Sequence, residues 1–167
     1  VINWDDFDQL SRVVPLLMKV YPNGQADVNH FHAAGGTSFL FRELLGAGLM
    51  HGDARTSWGE SLDSYTLEPA LEEGQLKWQQ GVAESQDKAV LASASEPFDG
   101  EGGLRLLRGN LGRGMIKISA VAEAHREVEA PAIVLSSQHD LQRRFEAGEL
   151  HRDCVVVVRF QAVSYTH

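Results

Sequence analysis

Cysteine is nearly absent. The 167 residues contain one, Cys154, which excludes an internal disulfide and cannot alone hold an iron–sulfur cluster, a group that takes several thiolates. Basic residues are also scarce. Fifteen Lys and Arg stand against 23 Asp and Glu, a net charge of −8, so the chain lacks the basic face with which a general nucleic-acid binder neutralises phosphates. A small anionic substrate is still compatible with that balance, because a pocket's local charge can oppose the net charge. No apolar run reaches membrane-spanning length, and no secretory signal pattern is present. No nucleic acid, no membrane and a cytoplasmic location are the expectations. What is present is an apolar fraction of 43%, enough for a real core. The chain opens at Val1 almost directly on a helical pattern and stops on "AVSYTH", close behind a strong strand. A fragment of a longer protein is expected.

The pattern along the chain is mixed. "NWDDFDQLSRVV" reads as a helix capped by Asn3 or Asp5, with Phe7, Leu10, Val13 and Val14 on one face and Pro15 discouraging continuation. "LLMKVY" is a short buried stretch ended by the turn "PNG". Asp27 reads as a second N-cap with His30 at N3. The helix it starts is interrupted at Gly35–Gly36, resumes as "TSFLFRELLGAG", and has Gly46 and Gly48 as stop candidates. Residues 51–103 carry few apolar periods and read as a long connection with one or two short strands, such as "GQLKWQQG", ending in a flexible boundary at "FDGEGG". So long a loop is unusual inside one domain and predicts a link between two. After Gly103 strands dominate: "LRLLRGN", "GRGMIKISAV" and "APAIVL", then a Ser-capped helix in "SSQHDLQRRFEAGEL" stopped by Gly148, then "DCVVVVRFQ", which reads as a strand buried on both faces. Strand, helix, strand predicts a crossover between parallel strands, and Cys154 is expected in the core.

Chemistry-bearing residues concentrate in "YPNGQADVNHFHAAGG", residues 21–36. On a helix, His30 and His32 lie roughly 200° apart, poor geometry for one metal, and no acidic or thiol partner sits at zinc spacing. The spacing favours one packed and one solvated imidazole. Asn23, Gln25 and Asn29 add neutral donors near a helix start, where anions are attracted, but Asp27 opposes an anion and plain capping is the simpler local reading. "GNLGRG", residues 109–114, is neither a dinucleotide fingerprint nor a P-loop. It reads as a tight strand connection, with backbone approach to a ligand as the functional alternative. No Ser–His–Asp triad can be assembled from the spacing.

The order of these stretches carries more than any one of them. "WDDFDQLSRVVPLL", "YPNGQADVNHFHAAGG", "FLFRELLGAGLMHGD", "GGLRLLRGNLGRGMIKISAV", "EAPAIVL" and "FEAGELHRDCVVVVRFQ" together resemble the dihydroxy-acid/6-phosphogluconate dehydratase superfamily, over residues 3 to about 161. "YPNGQADVNHFHAAGG" and "GNLGR" look more like its sugar-acid branch than its branched-chain amino-acid branch. The resemblance implies an α/β fold, here a mixed α+β fragment. Residues 1–50 would be the helical end of an amino-terminal α/β domain, 51–103 the interdomain linker, and 104–167 the first part of a β-rich swivelling β/α domain. It implies a hydro-lyase that removes water from 6-phospho-D-gluconate to give 2-keto-3-deoxy-6-phosphogluconate in the Entner–Doudoroff route. In the full-length parent, expected to be a homodimer, a [4Fe–4S] cluster acts on the leaving hydroxyl and a base takes the C2 proton. The family's cluster cysteines lie upstream and its proton-abstracting serine motif downstream. This chain is therefore expected to hold no cluster, no metal and no catalytic residue, and to be inactive alone. Asn23, Asn29, His30, His32 and Asn110 are the candidate contacts to the phosphorylated sugar acid. The ending "RFQAVSYTH" departs from the family's "RFQGP…GMPE". Two alternatives stand beside this reading: a dehydratase of the same superfamily acting on another sugar acid or a dihydroxy acid, and a stand-alone, non-catalytic ligand-binding module.

Overall fold

A computed structural model describes residues 1–159. The departure at residues 162–167 lies outside them. The architecture is a mixed α/β fragment that falls into two compact units, Val1–Val121 and Ala122 onward.

The first unit begins with α1, Trp4–Val13. The Asn3 side chain accepts the Asp5 amide at 2.7 Å, and the Asp6 carboxylate accepts the Asn3 amide at 2.7 Å. This reciprocal cap satisfies two otherwise orphaned donors. Extended backbone at Val14, just ahead of Pro15, ends the helix. Residues 16–20 then run extended, bridging Leu16 to Asp99 and Met18 to Leu91. α2, Val28–Ala34, and α3, Gly36–Gly46, follow. They are separated at Gly35, whose φ of +137° is open to glycine; a Cβ there would sit 2.9 Å from both Phe39 Cβ and Val82 Cγ2. Ala34, Phe39, Val90 and Leu91 form the core, with Met18, Val20, Phe31, Leu40 and Val82 packed around it. A 3₁₀ turn at Asp63–Thr66 leads into β1, Leu67–Glu72, and β2, Gln75–Gln80, an antiparallel hairpin. Its two-residue turn, Glu73–Gly74, has positive φ at both positions, the conformation that matches strand twist. β3, Leu104–Gly109, and β4, Gly112–Lys117, form a second hairpin closed by Asn110 and Leu111.

In the second unit β5, Ala132–Leu135, is followed by α4, Gln138–Glu146, and β6, Val155–Val158. β5 and β6 are parallel, with Ala132 opposite Val155 and Leu135 opposite Val158, the expected crossover. Ser137 caps α4, and Gly148 follows it at φ +72°.

The compact units divide after Val121, and within the first β3 is held by α1. The Leu104 amide donates to Ser11 Oγ at 3.0 Å, the Leu106 amide to Asp8 Oδ1 at 2.9 Å, and Arg108 pairs with Asp5. Residues 51–103 are not all a connection. Val90, Leu91 and Ala92 are buried, and "FDGEGG" is pinned by backbone bonds between Leu16 and both Phe98 and Asp99, each 2.9 Å. The valine run is not buried on both faces: Val155 is exposed, as is Val134 on the paired strand β5, and Cys154 is half-buried, since among the described residues of this unit one α-helix packs on a two-stranded sheet.

Candidate functional site

The stretch at 21–36 is built from short-range bonds. Asn23 Nδ2 donates to the Met18 carbonyl at 3.1 Å, and its amide donates to the Val20 carbonyl at 3.1 Å. These fix a turn so tight that a Cβ on Gly24 would lie 2.3 Å from the Lys19 oxygen. Asp27 then caps α2, accepting the amides of Asn29 at 2.8 Å and His30 at 3.1 Å. His30 Nδ1 lies 2.8 Å from the same carboxylate oxygen and 3.3 Å from the Asp27 amide. One ring nitrogen serves one of these partners at a time, and the carboxylate is the nearer. The His30 amide, then the His30 ring, and more weakly the Asn29 amide hold the Asp27 carboxyl below its ordinary value of 3.8. His30 is therefore engaged in helix capping. Asn29 and His32, three positions apart, share one face of α2. Both are exposed, and among the described residues no hydrogen bond holds either side chain.

Asn110 is exposed at the tip of the β3–β4 hairpin. The expected tight connection is what the register shows, with Gly109 opposite Gly112. The basic character of this loop is partly cancelled. Arg108 pairs with Asp5, and Arg113 Nη1 lies 3.3 Å from the other Asp5 oxygen. Among the described residues no hydrogen bond joins Asn110 to Asn23, Asn29, His30 or His32.

Pattern reading missed a cleft of about 400 Å³ lined by Phe7, Leu10, Leu16, Leu40, Leu44 and Leu104, with Asn23, Lys117 and Ser119 among its few polar residues. Ser119 Oγ is buried and among the described residues has no hydrogen-bond partner. The walls come from residues more than a hundred positions apart, so no local period announces them. Their signal in the sequence was only that Phe7 and Leu10 share a helical face.

The donor set does not fit an iron–sulfur cluster. Cys154 is the one thiol, and among the described residues no three His, Cys, Asp or Glu side chains are grouped to hold a metal ion.

The profile described as dihydroxy-acid/6-phosphogluconate dehydratase N-terminal matches residues 1–65, and its C-terminal counterpart matches residues 89–164. The chain belongs to the dihydroxy-acid/6-phosphogluconate dehydratase family. Within that family it is 55% identical over 160 residues to the phosphogluconate dehydratase of Pseudomonas aeruginosa and 56% identical over 160 residues to that of Escherichia coli K12. Each alignment covers 96% of this chain and 26% of the relative. A dihydroxy-acid dehydratase of Caldanaerobacter subterraneus is 29% identical over 159 residues, 94% of this chain and 26% of the relative. The chain thus spans about a quarter of the length of the curated relatives it matches. The stretch between the two matched profiles, 66–88, contains the β1–β2 hairpin.

Proposed function

We propose that this chain is part of a hydro-lyase that removes water from 6-phospho-D-gluconate to give 2-keto-3-deoxy-6-phosphogluconate, the Entner–Doudoroff reaction. The observation that carries this reading is the identity gap inside the family: 55% to a phosphogluconate dehydratase against 29% to a dihydroxy-acid dehydratase over nearly the same residues. A [4Fe–4S] cluster, when bound by the full-length protein, supplies a Lewis acid for the departing hydroxyl. Its thiolates come from outside this chain, whose single thiol is Cys154. We read the full-length protein as a cytoplasmic homodimer. Among the described residues no helix is long and apolar enough to cross a membrane.

The role left to this chain's own residues is binding. Asn29 and His32 are the free pair on α2, and each offers hydrogen bonds to a hydroxyl or phosphate oxygen. Asn110 offers an amide at a hairpin tip. Asn23 and His30 are already bonded, which makes them supports of the loop that presents the pair. We read Val1–Val121 as joining the end of the amino-terminal domain to the linker and the β3–β4 hairpin, and the β5–α4–β6 unit as part of the swivelling domain.

The test replaces the matched quarter of the Pseudomonas aeruginosa enzyme with this chain's residues 1–160 and assays the chimera on 6-phosphogluconate and on a dihydroxy acid. Preference for 6-phosphogluconate supports the reading; preference for the dihydroxy acid, or no dehydration of either by a cluster-loaded chimera, overturns it. His32→Ala in the active chimera is expected to raise KM by about 10- to 150-fold if a charged-group hydrogen bond is lost. His30→Ala is expected to lower thermal stability with a smaller effect on KM.

A further inference from the structure

The base of the β3–β4 hairpin carries more positive charge than its anchoring uses. Antiparallel register sets Arg108 directly opposite Arg113, so both side chains leave the same face of the ribbon. Like charges in that position destabilise a strand pair. One carboxylate, Asp5 on α1, stands against both: Oδ1 pairs with Arg108, and Oδ2 lies 3.3 Å from Arg113 Nη1. Among the described residues no other carboxylate pairs with either arginine. Two cations against one anion leave a positive charge over, on a chain whose net charge is −8. β3 is held to α1 without the second arginine, since Ser11, Asp8 and Asp5 already engage Leu104, Leu106 and Arg108. The two arginine side chains are 56% and 53% exposed. Together they present more N–H donors than one carboxylate accepts.

We propose that Arg108 and Arg113 form the seat for the phosphate group of the phosphorylated sugar acid, with Asp5 as a built-in counter-ion that holds the two side chains together. A planar guanidinium binds phosphate oxygens two at a time. Two of them side by side suit the three terminal oxygens of a phosphomonoester. The pair also separates substrate classes. A dihydroxy acid carries no phosphate to place there. "GNLGR", whose last residue is Arg113, is the part of the hairpin that resembles the sugar-acid branch. Asn110 stands at the tip of the same hairpin, two residues beyond Arg108. The proposal rests on 6-phosphogluconate being the substrate.

Steady-state kinetics of the cluster-loaded chimera test it, with 6-phosphogluconate as substrate. Arg113→Gln is expected to raise KM about 10- to 150-fold, the loss of a hydrogen bond to a charged group. Arg113→Lys keeps the charge and is expected to raise it less. Asp5→Asn separates a phosphate seat from a plain bridge. Both Arg113→Gln and Asp5→Asn break the same ion pair, so a bridge that only holds the hairpin moves KM in one direction for both. A phosphate seat moves it in opposite directions, because Asp5→Asn removes the competing anion and lowers KM several-fold. That gap should narrow as ionic strength rises, since the charges are exposed. An unchanged KM in Arg113→Gln overturns the proposal, as does a KM raised in both variants. If Arg113→Gln fails to fold, the sign of the change in Asp5→Asn decides alone. A native chimera that prefers a dihydroxy acid overturns the substrate reading and the seat together. A native chimera that prefers 6-phosphogluconate but is insensitive to Arg113→Gln overturns the seat only.

Discussion

Ser11 is a buried hydroxyl on a helix that does a strand's work, accepting the Leu104 amide in place of a neighbouring carbonyl. Ser11→Ala leaves that amide without its acceptor and is expected to cost roughly 1–3 kcal/mol, read from urea unfolding; an unchanged midpoint would show that water replaces it at no loss. Asp8 plays the same part for Leu106, and that amide, followed by Arg12, holds its carboxyl below 3.8. A carboxyl depressed in the folded state stabilises fully above its unfolded value, and that stabilisation is lost as pH falls through the folded value. Stability should therefore drop below about pH 4, and Asp8→Asn should be less stable than the parent at neutral pH with a flatter acid limb. Unfolding midpoints at several acidic pH values check this. Asp27 and Asp140 are depressed in the same direction. What was legible at this scale follows distance along the chain. Asp27 and His30 sit three residues apart and read directly from the sequence as a cap. Ser11 and Leu104 are 93 positions apart, and no local rule joins them.

Elements were read where a start or stop signal sat beside a period: α1 from Asn3 and its apolar face, the α2–α3 break from Gly35, and α4 from Ser137 and Gly148. Gly35→Ala forces a side chain into a left-handed φ against Phe39 and Val82. About 1–3 kcal/mol of strain is expected, seen as a lower melting temperature with helix content largely kept in circular dichroism. Val90–Ala92 carries no such signal. It is three apolar residues, too short for a period, and only its pairing with residues 17–19 makes it core. The strand in "GQLKWQQG" was legible between its glycines, but the positive φ of 50° at Glu73 in the turn before it was not, since glutamate does not announce that conformation. The candidate site was legible as a cluster of polar residues, but not as a division of labour. That division came from bonds the structure resolves, with Asn23 and His30 committed to the loop and Asn29 and His32 left over.

The molecule as a whole is two units of unequal standing. The first has a closed core around Leu91, which is fully buried, and Leu91→Ala is expected to cost about 2–5 kcal/mol. Among the described residues the second has one α-helix on a two-stranded sheet, too little to bury a core alone. A chain ending at Val121 should unfold cooperatively in a denaturant titration, whereas residues 122–159 by themselves should show no sigmoidal transition. A cooperative transition in the smaller piece would contradict that ranking. The bonds from α1 to β3 also set a timetable. During translation the helix leaves the ribosome first, and the strand that accepts it follows about ninety residues later. At roughly 5–20 residues per second that is a delay of about 5–20 s. Through that interval Asp5, Asp8 and Ser11 wait without β3, and residues 16–20 wait without Leu91 and Asp99. The interval closes only when β3 has emerged, which makes the pairing of α1 with β3 a late step in folding during synthesis.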